Sequence, residues 1–228
     1  HPEMDHMDGI KDFFEEFTPT NFWDTANTCE KTFGLLGAFL ERDWDFYKDL
    51  RDGTALGSVT RLVLYAGERG RFFNEANNTE LQDGLRVLSP TRQLIAEARR
   101  TGEYNDASYV ILYRSRAGSI LFCGDSHDKT WEHILANHLD EVRGVDLMLA
   151  PHHGRDSGRD RAFLSVVRPK LTLFGDAPSE HLGYDAWSNR GLRYLTCNQA
   201  GTVIVDTNGN LMKVYVKKET CARKNNEH

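Results

Sequence analysis

Ile10, Phe13, Phe14 and Phe17 recur at the i, i+3, i+4, i+7 spacing that gathers apolar side chains into one helical stripe. That spacing predicts a helix just after the first six residues. Further along, the pattern predicts a helix over 33–50, a strand over 59–66 and a helix over 91–100, the last behind the Ser89-Pro90 breaker. Beyond Asn105 the pattern changes to short apolar runs bounded by turn residues, as in the strands of a layered α/β domain. Residues 108–114 and 119–123 read as a hairpin turning at Ala117-Gly118, 127–138 as a helix and 145–150 as a buried strand. Residues 161–167 read as a helix and 170–174 as a strand. Strands over 194–196, 201–206 and 211–217 close the domain, the last two joined at the hairpin signal Asn208-Gly209. Residues 217–228 read as a polar tail, and no internal repeat is visible.

Composition narrows the class. With 228 residues, 39% apolar and 27% charged, the chain can bury the core of one large domain, which excludes wholesale disorder. No apolar run approaches the ~18 residues that a membrane span needs. A net charge of −6 supplies no global attraction to nucleic acid. Cys29, Cys123, Cys197 and Cys221 form no C-x-x-C pair, so neither a zinc ribbon nor a disulfide scaffold is suggested, and reduced thiols in a cytoplasmic protein are expected. The oligomeric state is not legible.

Three stretches concentrate side chains that bind metals. His1-Pro2-Glu3-Met4-Asp5-His6 places imidazoles and carboxylates just ahead of the amphipathic helix. In 121–127 an apolar strand runs into Gly124-Asp125, and in 149–154 another runs into Pro151-His152-His153-Gly154. Imidazole nitrogen and carboxylate oxygen are first-choice zinc ligands and are acceptable to manganese. Any one stretch has an ordinary explanation as a turn, a cap or a surface loop, whereas the three in this order point to a metal site.

In combination these motifs resemble the metallo-β-lactamase superfamily, closest to its ComEC-type branch of DNA-uptake proteins. The resemblance covers residues 1–6 and about 85–216. It rests on His1-Pro2-x-x-Asp5-His6, Asn105-x-x-Ser108, Gly124-Asp125, His152-His153-Gly154 and the looser echo His181-x-Gly183. It implies an αββα sandwich over 1–216, with an insertion-rich region at 18–102 and with N-terminal strands of the first sheet expected to precede His1. The aromatic residues of that region, among them Trp44 and Tyr47, are expected to be local core rather than a base-stacking platform.

Carried over residue by residue, the resemblance assigns His1 to one metal and Asp5 and His6 to a second. Asp125 would bridge the two, His153 would complete the second site and His152 would stand behind the ligands. Glu3 replaces the usual second histidine, and the usual mid-chain histidine has no counterpart near Asn105. One or two divalent ions are implied, zinc first and manganese as the alternative. The implied activity is hydrolysis by metal-activated water, with Asp5 and Asp125 orienting that water. His181 is either a substrate contact and proton donor or a plain loop histidine. The branch favours a small-molecule or nucleic-acid phosphodiester. Arg155, Arg159 and Arg161 either hold phosphate oxygens or sit in a solvated loop with Asp156 and Asp160. Another ester or lactone, or a non-catalytic ligand-binding member of the fold, remains the alternative.

Overall fold

The computed structural model describes residues 1–33, 38–54, 57–68, 84–219 and 221. The apolar stripe forms α1 (Ile10–Phe17), followed by β1 (Asn21–Asp24), α2 (Ala38–Asp52) and β2 (Thr60–Val63). Residues 34–37, where part of the second predicted helix falls, lie outside the described residues, as do 222–228 of the expected tail. Trp44 and Tyr47 of α2 are buried with Met7 and Cys29, so these aromatics do form a local core.

The main sheet begins with β3 (Leu85–Ser89), a strand that the sequence pattern does not predict. Helix α3 (Arg92–Thr101) follows, its first turn capped by the Thr91 side chain, which accepts the Leu94 N–H, and its end closed by left-handed Gly102. Then come β4 (Val110–Ser115), β5 (Gly118–Phe122), α4 (Asp128–Asn137) and α5 (Leu139–Val142). The chain continues through β6 (Leu147–Leu149), α6 (Phe163–Val167), β7 (Leu171–Phe174) and α7 (Tyr184–Ser188). It closes with β8 (Tyr194–Thr196), α8 (Cys197–Ala200), β9 (Val203–Asp206) and β10 (Lys213–Val216).

The result is a mixed α/β fold around a six-stranded sheet in the order β3-β4-β5-β6-β7-β8. β3, β4 and β5 pair antiparallel, whereas β5 through β8 are parallel. β1 and β2 form a parallel pair of their own, and β9 and β10 an antiparallel one. The expected β9–β10 hairpin forms around Asn208-Gly209, with a longer loop than a two-residue turn because Asp206 pairs with Lys213 and leaves 207–212 as the connection. Asp206 draws it open by accepting the Asn208 N–H, and Gly209 does not take the positive φ that a two-residue turn needs.

Residues facing one side of the sheet, such as Leu112, Leu121, Met148 and Phe174, are buried against Trp131, Ile134, Leu164 and Trp187 from the helices. On the other side, Phe122 and Leu149 are 39% and 36% exposed. They line a cleft of about 700 Å3 together with Leu173 and Val203. Among the described residues no helix is long and apolar enough to cross a membrane.

The register positions the chemistry. Phe122 pairs with Leu149 at the C-terminal ends of β5 and β6, so the Gly-Asp and His-His-Gly turns leave the same sheet edge side by side. That edge, beyond the carboxyl ends of parallel strands, is where α/β sheets place ligands.

Candidate metal centre

The first motif folds as a 3-10 turn, Met4–His6, held from behind. Met7 is buried beside Trp44 and Tyr47, and the buried Asp43 carboxylate accepts the Gly9 N–H at 2.7 Å. With its back anchored, the turn presents Asp5 and His6 to the sheet edge.

Gly124 stands at φ +52°, where a Cβ would lie 2.9 Å from the Tyr109 carbonyl oxygen, so only glycine brings the next residue so close to β4. Asp125 is 2% exposed, and its N–H donates to Ser108 Oγ at 3.3 Å. In the third motif His152, His153 and Gly154 all take positive φ, at +52°, +58° and +82°. Two non-glycine residues in this region cost about 1–2 kcal/mol each. The strain is held by bonds from His152 N–H to the Gly124 carbonyl, from Gly175 N–H to the His153 carbonyl and from Gly183 N–H to the Gly154 carbonyl. A Cβ on Gly154 would sit 2.5 Å from the Phe174 ring, so the turn lies directly on the core.

The three turns converge on the Asp125 carboxylate. His6 Nε2 lies 3.1 Å, His1 Nε2 3.6 Å and His152 Nε2 3.9 Å from Oδ2, while His153 Nε2 lies 3.6 Å from Oδ1. Asp5 is 3.5 Å from His153 and 3.9 Å from His6. One ligand atom each from Asp5, His6, Asp125 and His153 lies within 4.8 Å of the other three, a group able to hold a metal ion. Donors about 2.0–2.1 Å from a tetrahedral zinc stand roughly 3.3 Å from one another, close to these separations.

A second observation supports the fit. Among the described residues, Asp125 Oδ1, His153 Nε2 and His1 Nε2 are buried without a hydrogen-bond partner. Unpartnered ring nitrogens and a carboxylate oxygen facing one another across a small space suit a cation.

Burial by itself would raise the pKa of Asp125, but the hydrogen bond from His6 and the nearby His153 and His152 outweigh it, and the value is lowered. His127, His133 and His152 are lowered from 6.5, each chiefly by burial. These histidines are therefore harder to protonate folded than unfolded. Above about pH 6.5 they cost nothing, and as pH falls through that value the unfolded chain takes up more protons and stability drops. The thermal midpoint of metal-free protein is accordingly expected to fall between about pH 7.5 and about pH 5.5; a rise on acidification would contradict these environments.

The other sequence candidates lie differently. Glu3 turns to Lys31, at 2.6 Å, instead of toward the carboxylate cluster. Arg159 pairs with Glu103 at 3.1 Å and Asp128 at 3.9 Å, so its charge is already engaged. Arg155 bridges Leu182 through its backbone, and its buried Nε has no partner among the described residues. Arg161 lies 4.8 Å above the Trp187 ring and donates to the Arg155 carbonyl, which makes it a brace for the loop. His181 is exposed on the Ser179–His181 turn and is not among the residues that line the cleft beside His6, Asp125 and His153.

Sequence reasoning gave no role to the residues behind the imidazoles. Ser108 Oγ lies 3.0 Å from His1 Nδ1 while also receiving the Asp125 N–H. No histidine is near Asn105 in sequence, yet His127 Nε2 lies 3.1 Å from its amide nitrogen. The usable signals were Asn105-x-x-Ser108 and the position of His127 two residues after Asp125.

No protein-family model matches the chain, and no curated protein matches it in sequence. The chemistry of the site therefore rests on its own atoms.

Proposed function

We propose that this chain is a metal-dependent hydrolase of metallo-β-lactamase type, its six-stranded sheet forming one half of an αββα sandwich. The observation that carries the proposal is the convergence of Asp5, His6, Asp125 and His153 on one point, with buried donor atoms left unpartnered there. Zinc suits this mixed imidazole and carboxylate set, and manganese is the alternative. A divalent cation held by Asp5, His6, Asp125 and His153 would supply Lewis acidity for activating water near neutral pH and polarising the scissile group. The chain's own part is to hold the site in shape. Asp125 keeps its carboxylate ionised and buried, His6 and His153 stand on its two oxygens, and the strained 152–154 turn fixes their approach.

The Glu3–Lys31 pair favours one tightly held ion over two, because the residue that replaces the second motif histidine is occupied elsewhere. A phosphodiester substrate rests on the ComEC-type resemblance. Arg159 lends it no support, since its guanidinium faces carboxylates.

The test is a hydrolysis panel, with zinc and manganese each supplied, on single-stranded DNA, a small chromogenic phosphodiester and a lactone. Metal-dependent phosphodiester cleavage is expected. Lactone cleavage without phosphodiester cleavage would overturn the substrate class alone, and no hydrolysis of any of the three would favour a ligand-binding role.

A further inference from the structure

A void of about 20 Å3 lies between the start of α4 and the loop that carries Arg159 and Arg161. That is room for one water-sized or monatomic guest. Ser126, Trp131 and Arg161 line it and are 3%, 4% and 8% exposed. Each carries a buried polar atom with no hydrogen-bond partner among the described residues: Ser126 Oγ, Trp131 Nε1 and Arg161 Nη1. Folded proteins rarely leave such atoms unpaired, so three around one void point to a guest that pairs with them.

The donor chemistry selects the guest. An indole N–H and a guanidinium N–H can only donate, and a serine hydroxyl can donate as well. Arg161 donates to the Arg155 carbonyl, and among the described residues no carboxylate stands within ion-pair distance of it. Burial lowers its pKa, and the exposed Asp156 is the charge that opposes the fall. A buried cation without a counter-ion is strongly destabilising, and a small anion beside it offsets that cost. The backbone adds to the attraction. His127 and Asp128, which open the ten-residue helix α4, also line the void, so the positive pole of that helix faces it. The nearby carboxylates are engaged elsewhere. Asp128 lies 3.9 Å from Arg159, and Asp160 accepts the Ala162 N–H at 2.8 Å. Asp106 accepts the Thr130 N–H at 3.0 Å and the Thr130 hydroxyl at 3.1 Å, a clamp that ties α4 to the 3-10 turn Tyr104–Ala107.

We propose that this void is a binding site for one monatomic anion, chloride in a saline medium, held by Arg161, Trp131 and Ser126 at the N-terminal end of α4. Its role follows from its walls. Pro151 and His152 also line the void, so the anion ties α4 and the arginine-bearing loop to the strained 152–154 turn. The site needs no metal, and its test is independent of the metal-centre reading.

The experiment uses the full chain free of metal. Thermal melts are recorded in sodium chloride and in sodium gluconate at equal ionic strength, and crystals grown in bromide are measured at the bromine absorption edge. Expected is a saturable rise of the midpoint with chloride, by about 3–5 °C at a concentration tenfold above the dissociation constant. An anomalous bromide peak beside Arg161 Nη1 and Trp131 Nε1 is also expected. Trp131→Phe keeps the ring that stacks on Phe163 at 3.8 Å and removes one donor, so chloride should bind ~10-fold more weakly. Identical melts in the two salts would overturn the proposal, even with bromide in the crystal, because that would be binding at crystal concentration only. A water in the void with no bromide signal would overturn it as well, as would a Trp131→Phe protein that responds to chloride like the unaltered one.

Discussion

Asp125→Asn is expected to leave no hydrolysis above background and little bound metal, while the protein still folds. The amide is nearly isosteric, so the Gly124 turn and the bond from the backbone N–H to Ser108 survive. What disappears is the buried charge at a point where His1, His6, His152 and His153 all face one carboxylate. A neutral amide also offers one oxygen where the carboxylate offers two, and here the two oxygens serve different imidazoles. Elemental analysis, an activity assay and a thermal melt on the same preparation separate the effects. Retained turnover in a folded Asp125→Asn protein would remove Asp125 from the mechanism.

The second large effect is on stability. Trp187→Ala is expected to cost about 3–5 kcal/mol, or roughly 10 °C in the thermal midpoint of a domain of this size. Trp187 is fully buried, meets the Phe174 ring edge-on at 4.6 Å and donates its indole N–H to the buried Thr172 hydroxyl at 2.9 Å. Truncation opens a cavity, strands the hydroxyl and removes the ring beneath Arg161. Because Phe174 also supports Gly154, loosening this layer should lower metal affinity as well. Trp187→Phe, which keeps most of the volume and loses the hydrogen bond, should cost distinctly less. Equal losses for the two variants would mean that the hydrogen bond, not the packing, carries the effect.

The parts of this protein that were legible in its sequence are those set by short-range pattern. The α1 stripe, the helix behind the Ser89-Pro90 breaker and the strands that end in Gly124-Asp125 and Pro151-His152 declare themselves through spacing and punctuation. β3 did not. Its Leu-Arg-Val-Leu-Ser run is too short to separate from loop by periodicity, and its strand character comes from pairing with β4, a strand distant in the sequence. Asn208-Gly209 did mark the β9–β10 hairpin, but not its loop length, which the Asp206 side chain sets by accepting the Asn208 N–H.

The site divides in the same way. Asp5, His6, Asp125 and His153 stood out because their residue types and neighbours are those of a metal motif, and the structure brings them together. Charge pairing is a long-range property, so the capture of Glu3 by Lys31 and of Arg159 by Glu103 could not be read from spacing. The link from Asn105 to His127 depends on the Asp106–Thr130 clamp, which only the folded chain supplies.

The most direct measurement is equilibrium metal content. Purified protein would be dialysed against Zn2+ or Mn2+ with a competing chelator and analysed beside Asp125→Asn and His153→Ala. The metal-centre account predicts about one tightly held equivalent in the unaltered protein, with a weaker second at most, and loss of most of it in both variants. A folded, unaltered protein that retains no more metal than these variants would contradict it.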